Sequence, residues 1–230
     1  MAPAGEEEAV MLKPLRTLDA ANGRFDKHWP LKDQLHDQLL HDYLQKIAYS
    51  IHDFNGVAAK ETSLNREDVV YVIVLTDWIN EAAHKLRDCF DYAVVEGFQY
   101  SRGEELNKLI QYFKTVRSFV VAHPLSTSKH PKYGFNGAYS CIDIALAATI
   151  SPFYIDGLRR LSPDGLIDAS GLRKNDVVLN VYSTENGAEF FRHICFSLED
   201  VRAVSELNIK MLYELNGYLR RLRKKDFGGS

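Results

Sequence analysis

The chain has 230 residues, of which 46% are hydrophobic and 26% are charged. These proportions are typical of a globular protein with one sizeable core and exclude a disordered or fibrous chain. The formal net charge of -3 gives no overall attraction to nucleic acid or to acidic membranes, so a site for a polyanion must be a local patch. No apolar run approaches the length of a membrane span. Three widely separated cysteines suit reduced thiols, and we therefore expect a cytoplasmic protein.

Residues 1–25 combine prolines, glycines and an acidic run with little periodicity, which predicts a flexible leader. The acidic run stands where a signal peptide would be basic and then apolar. Residues 26–225 are predicted to form a single compact domain. Its first part, 26–124, is helical, and its second part, 125–225, contains a loop, a β-hairpin and a closing helix.

Two long amphipathic helices are predicted at the start of the domain. Apolar residues within 31–54 recur every three or four positions, and this helix is expected to end near Gly56. Asn65 can cap the second helix together with Asp68, three residues on. The β-branched stretch 69–74 also has the composition of a strand, but the helical period continues well beyond it.

A third helix is predicted from Glu104 to about Ala122. Two acidic residues lie in its first turn, where the helix dipole favours them, and its apolar residues again follow a helical period. Pro124 ends this helix, because the residue before a proline avoids the α region.

The pattern changes after Pro124. Residues 139–144 alternate as in a short strand, although a helix through Ile150 is the competing interpretation. Two clearer strands, 177–182 and 190–196, flank an Asn-Gly pair, which is the strongest short signal for a hairpin.

A closing helix follows the hairpin. Ser197 and Asp200 have the spacing of a capping box, and the helix is predicted to finish in a basic cluster at 220–225. The predicted fold class is α+β, mainly α: a helical bundle with a small antiparallel β-hairpin or sheet and a C-terminal helix.

The end of the third helix carries Arg117 and His123 in an otherwise apolar run. On an ideal α-helix, six positions separate two residues by about 9 Å of rise and roughly 120° of rotation, so this pair does not share a face. Arginine is always charged and presents forked donors suited to phosphate, whereas histidine titrates near neutrality. Such a pair can cleave RNA without a metal: the imidazole transfers a proton at the 2′-hydroxyl or the leaving oxygen, and the guanidinium stabilises the phosphorane.

At these residues the chain resembles the HEPN superfamily of helical bundles, whose ribonuclease members carry an arginine, a few intervening residues and then a histidine. Here five residues separate Arg117 from His123, Pro124 follows, and Ser118 stands where family members often have a polar residue. The resemblance covers 31–124. It implies a metal-independent endoribonuclease, a toxin or phage-defence effector, with Arg117, His123 and Ser118 as catalytic residues. It also implies a homodimer formed through the bundle.

The loop beyond this motif places Lys129, His130, Lys132 and Tyr133 near the predicted site. Cations next to an aromatic ring suit single-stranded RNA, so we predict that these four residues bind RNA. A merely solvated loop is the alternative. The basic cluster at 220–225 could also bind phosphates, although cations at a helix end are expected from the helix dipole.

A metal site is the weaker chemical hypothesis. Glu81 and His84 have the Glu-x-x-His spacing of carboxylate-bridged helical bundles, and His36, Asp37 and His41 could add ligands. Such a site needs a second Glu-x-x-His, which the sequence lacks. The sequence also has no glycine-rich loop that would cradle a phosphate. We therefore predict neither a metal nor another cofactor.

A structural role for the motif is the remaining alternative. Arg117 could pair with an acid such as Asp88 or Asp91, and His123 could cap the helix end. The chain would then be a catalytically inactive helical interaction or ligand-sensing module. A regulatory protein partner is compatible with either hypothesis.

Overall fold

The structure, a computed structural model, is mainly helical. A small sheet follows the fourth helix in the sequence and precedes the fifth. The structure describes residues 12–18, 29, 31–61, 64–122, 133, 144–146, 157–173, 175–185 and 188–227. The predicted fold class, α+β and mainly α, is confirmed. Among the described residues, no helix combines the length and the apolar character needed to cross a membrane.

The described part of the chain contains five α-helices, and a π-helical turn directly follows the fourth. They are α1 (Gln34–Ala58), α2 (Arg66–Arg87), α3 (Tyr92–Gly97), α4 (Gly103–Arg117), the π-helical turn (Ser118–Ala122) and α5 (Leu198–Phe227). Helix α1 packs along α2, and α5 packs against both α2 and α4. The closing helix is therefore a member of the bundle.

Residues 12–18 lie within the predicted leader and yet pack on the bundle. Leu12 and Leu15 are only 2% and 4% exposed. The Asn55 side chain on α1 accepts a hydrogen bond from the Leu15 N–H at 2.6 Å and donates one to the Leu15 carbonyl at 3.0 Å. This stretch is part of the fold. Helix α1 continues through Gly56 to Ala58, so its predicted end falls slightly too early.

The predicted capping box of α2 is confirmed. The Asn65 side chain accepts a hydrogen bond from the Asp68 N–H at 2.8 Å, and the Asp68 carboxylate accepts one from the Asn65 N–H at 3.1 Å. Both bonds satisfy amides that the first turn of a helix leaves without a partner.

We expect Asn65→Ala to lower the free energy of unfolding by about 1 kcal/mol, because alanine cannot accept the hydrogen bond from Asp68. Urea denaturation measures the change. Gln38→Ala, at an exposed position within α1, is the control. A loss for Asn65→Ala no larger than that of the control would contradict the capping role.

The sheet has five strands: β1 (Ile144–Leu146), β2 (Arg159–Ser162), β3 (Gly165–Asp168), β4 (Asp176–Glu185) and β5 (Ala188–Ser197). Their order is β1-β4-β5-β2-β3, and β2 is parallel to β5 while the other neighbours are antiparallel. The predicted hairpin is confirmed as the β4–β5 pair, whereas its Asn-Gly turn lies outside the described residues. The sheet is larger than predicted, and it is mixed because β2 joins the far side of β5.

One face of the sheet packs against the bundle. Val177, Leu179 and Val181 of β4 belong to the same core cluster as the helices, together with Phe196 of β5. Successive side chains of a strand point to opposite faces, and Val178 accordingly lies in a second, smaller cluster. A continuous core therefore links the sheet to α4 and α5.

Candidate functional site

Arg117 is the last residue of α4, at the junction with the π-helical turn. Phe113 and Val116 of the same helix are buried in the core, and Arg117 lies at the edge of this buried stripe. The π-helical turn covers Ser118–Ala122, which are the residues between Arg117 and His123. The separation calculated for an ideal α-helix therefore does not apply here. Short π-helical segments occur frequently at functional sites.

The Arg117 guanidinium is held by one contact from α2. Its Nε lies 3.0 Å from Asp77 Oδ2, and the two side chains are 38% and 14% exposed. Among the described residues, Asp77 is the only ion-pair partner of Arg117. The partner is Asp77 and not Asp88 or Asp91, the two acids that the sequence suggested. The arrangement orients a guanidinium that is 38% exposed and carries five N–H donors, so it can still donate to an anion.

Burial and the neighbouring charges shift the pKa of the Asp77 carboxylate in opposite directions. Burial raises the pKa of Asp77, the Arg117 guanidinium lowers it, and the Glu81 carboxylate one turn along α2 raises it again. The net effect is a pKa above the ordinary value of 3.8. Burial therefore outweighs the ion pair, so the charged form of the Asp77 carboxylate is less favourable in the folded protein than in the unfolded chain.

The raised pKa of Asp77 predicts a pH dependence. The folded protein binds this proton more tightly than the unfolded chain, so the stability contributed by Asp77 is greatest below pH 3.8 and falls as the pH rises through its folded pKa. Asparagine does not titrate. As the pH rises from 3.8 through the folded pKa of Asp77, we therefore expect the free energy of unfolding of Asp77→Asn to increase relative to that of the wild type. Above this window, the difference between the two proteins should stay constant. Urea denaturation at several pH values tests this, and a constant difference across the window would contradict it.

Two predicted site residues are buried. Ser118 is 5% exposed, and its hydroxyl has no hydrogen-bond partner among the described residues. Tyr133 is 3% exposed and belongs to the core cluster. Both side chains are buried in this structure, and the roles predicted for Ser118 and Tyr133 stay predictions.

The other predicted site residues lie outside the described residues. They are His123, which completes the motif, and the loop residues Lys129, His130 and Lys132. Their roles stay predictions.

An exposed aromatic patch lies on α1 and α2. We define it by Tyr49, Tyr71 and Trp78, which are 62%, 39% and 39% exposed. The Lys46 ammonium lies 4.1 Å from the centroid of the Trp78 ring, a cation–π contact. Trp78 directly follows Asp77 on α2, but its ring faces α1, whereas Asp77 contacts Arg117 of α4. Sequence periodicity placed these rings on helices but did not predict that they form a common exposed surface.

The residues considered for a metal site do not come together. Glu81 and His84 are exposed on α2. His36 lies against the residue that caps α1, with its Nδ1 2.7 Å from Asp33 Oδ1. Among the described residues, no group of three or more histidine, cysteine, aspartate or glutamate side chains could hold a metal ion.

No family model, curated protein or solved structure matches this chain. The functional assignment therefore depends on the geometry around Arg117 and Asp77.

Proposed function

We propose that the chain is a metal-independent endoribonuclease of HEPN type that acts on cytoplasmic RNA, as a toxin or a phage-defence effector. Arg117 binds the scissile phosphate and His123 transfers protons. The observation that carries the proposal is the half-exposed Arg117 guanidinium, whose only ion-pair partner among the described residues is Asp77, 3.0 Å from Nε. A guanidinium already held in place loses little further freedom when it binds phosphate.

The proposed reaction needs two proton transfers and one anion site. The 2′-oxygen attacks phosphorus as its proton leaves, the bond from phosphorus to the 5′-oxygen breaks, and that oxygen receives a proton. The products end in a 2′,3′-cyclic phosphate and a 5′-hydroxyl. A neutral His123 serves as the base and a protonated His123 as the acid, while Arg117 neutralises charge on the phosphorane. In a homodimer, two copies of His123 could divide these roles.

The aromatic patch supports the homodimer that the family resemblance implies. Large exposed rings on a monomer commonly mark an interaction surface, and these three rings are 39–62% exposed. A second copy that covers the patch would pack on α2, the helix that carries the ion-pair partner of Arg117.

We expect Trp78→Ala to weaken the homodimer at least tenfold, since tryptophan is a common anchor of protein interfaces. Analytical ultracentrifugation measures the dissociation constant. Tyr92→Ala, which removes a 73% exposed ring on α3, is the matched control and should leave association unchanged. A monomeric wild-type protein at high concentration, or equal effects of the two variants, would contradict a dimer formed through the patch.

The activity is tested by incubating the purified protein with mixed RNA in excess EDTA. We expect cleavage by the wild type that persists in EDTA and is lost in both Arg117→Ala and His123→Ala. Lys114→Ala, at an exposed position one turn before Arg117, removes the same charge from the same helix and should remain active. Cyclic phosphate ends on the products identify attack by the 2′-oxygen.

Arg117→Ala leaves the half-buried Asp77 carboxylate without its ion-pair partner, which could disturb the fold. The double variant Arg117→Ala/Asp77→Asn removes that buried charge and keeps the test interpretable. Folding is checked by circular dichroism. No cleavage of any RNA class by the wild type, or full activity of the folded double variant, would overturn the proposal and favour an interaction module.

A further inference from the structure

A groove of about 480 Å³ lies between α5 and the segment that joins α3 to α4. The groove lies near the start of α4, because Ser101, just before that helix, donates a hydrogen bond to Glu214 in the groove lining. Arg117 is at the other end of α4. The 15 residues of α4 separate its two ends by about 21 Å. The groove is therefore distinct from the candidate cleavage site.

Two tyrosine rings of α5 line the groove, and both are held in place. The Tyr218 ring packs on Phe98 with 5.7 Å between centroids. Its hydroxyl lies so close to Gly97 that a Cβ at that position would collide with it. The Tyr213 hydroxyl donates to the Thr17 carbonyl at 2.8 Å. The Arg16 guanidinium already lies over the Tyr213 ring, 4.4 Å from its centroid, so Tyr218 is the ring proposed for stacking. A ring fixed in this way loses little freedom when a ligand stacks on it.

The groove also contains a cation that has no partner among the described residues. Arg221 is exposed, and among the described residues it has no ion pair or hydrogen bond. Arg202, on the same helix, shows the contrast, since it contacts both Glu199 and Glu206. An unpaired guanidinium beside a concave surface is suited to a phosphate.

Two polar side chains complete the lining. The Glu214 carboxylate accepts hydrogen bonds from the Ser101 N–H at 3.2 Å and the Ser101 hydroxyl at 2.7 Å. A carboxylate can accept about four hydrogen bonds, so it retains capacity for donors of a ligand. The Gln99 amide, exposed at the rim, can both donate and accept.

We infer that this groove binds a nucleotide. Its phosphate pairs with Arg221, its base stacks on Tyr218, and its hydroxyl or amino groups donate to Glu214. A nucleotide is the ligand class that combines an anion, a flat π-face and several donors, which matches the three features of the lining. The inference does not rest on the proposed cleavage, because none of these residues belongs to the site around Arg117.

Isothermal titration calorimetry of the full chain with AMP and with adenosine tests the phosphate contact. We expect AMP to bind the wild type at least tenfold more tightly than adenosine, and this preference to disappear in Arg221→Gln. Lys114→Gln makes the same charge change at an exposed position of α4 and should keep the preference. Absence of saturable binding of AMP, or equal behaviour of the two variants, would overturn the inference.

Gly97→Ala tests the stacking surface without a change of charge. Its Cβ displaces the Tyr218 ring, so we expect weaker binding of AMP and adenosine alike, with their affinity ratio preserved. Gly56→Ala, where a Cβ meets nothing within 4 Å, is the control. Unchanged affinity in a folded Gly97→Ala protein would exclude Tyr218 as the stacking partner.

The nucleotide could be free or could be the end of an RNA strand. A 5′-phosphorylated 2′-O-methyl oligonucleotide, which cannot be cleaved through its 2′-oxygen, distinguishes these sources. Tighter binding than AMP indicates an RNA end, and weaker binding indicates a free nucleotide. Either result supports the nucleotide site if Arg221→Gln weakens the binding. If Arg221→Gln leaves the affinity for the oligonucleotide or for AMP unchanged, the site is contradicted.

Discussion

Replacing Asp176 with alanine is expected to lower the free energy of unfolding by about 3–5 kcal/mol. Asp176 is fully buried, and its two carboxylate oxygens each accept a hydrogen bond of 2.7 Å from the Arg160 guanidinium. The Arg173 N–H adds a third at 2.6 Å. The variant would leave a guanidinium that is 5% exposed without its counter-charge. Because β5 lies between β2 and β4, the variant would also remove a side-chain link between two strands that are not neighbours in the sheet.

Two further variants make this prediction specific. Asp168→Ala removes the acid of an exposed pair in the same sheet, since Asp168 is 96% exposed, and it should cost no more than about 1 kcal/mol. The double variant Arg160→Met/Asp176→Leu replaces both charges with apolar groups and should recover most of the loss. Urea denaturation compares the three. A loss for Asp176→Ala as small as that for Asp168→Ala would show that the buried pair does not stabilise the sheet.

The buried pair also shows where sequence reasoning fails. An arginine in a strand is expected to face solvent, and no feature of the sequence near Arg160 indicates that its side chain is buried. Its counter-charge is 16 positions away, and only the parallel pairing of β2 with β5 brings the two side chains together. Strands β2 and β3 have four residues each, too few for a periodic signal, although the Pro-Asp-Gly run between them is a turn signature.

Local features were predicted better. The capping box of Asn65 and Asp68 depends on residues three positions apart, and the structure has it as predicted. The β4–β5 pair likewise follows from two alternating runs separated by a short turn. The membership of α5 in the bundle is a long-range property: Ser205 and Thr76, whose hydroxyls lie 3.2 Å apart, are 129 positions apart in the sequence.

The candidate site combines both kinds of information. The location of Arg117 in the last part of the third helix was predicted from the apolar period and from Pro124, which are local, but the α-helix was predicted to continue to about Ala122 and ends at Arg117. The π-helical turn after it has no such signature. The pairing with Asp77, 40 positions earlier, depends on how α4 packs beside α2, which periodicity does not specify.

Arg117→Lys is expected to lower the turnover of RNA about 100-fold while changing KM much less. Lysine keeps the positive charge but carries its donors on a single nitrogen. It cannot contact Asp77 through one nitrogen, as Arg117 Nε does at 3.0 Å, and present separate nitrogens to the phosphate. Initial rates over a range of RNA concentrations separate turnover from KM. The prediction rests on the proposed ribonuclease activity.

The comparison with Lys114→Arg decides whether charge or geometry matters. That variant makes the reverse exchange at an exposed position of the same helix and should leave turnover and KM unchanged. Asp77→Asn should show an intermediate loss of turnover, since asparagine can still accept a hydrogen bond from Arg117 Nε but lacks the charge that strengthens it. If Arg117→Lys retained full turnover, charge alone would account for the role of Arg117, and the fork held by Asp77 would have no catalytic purpose.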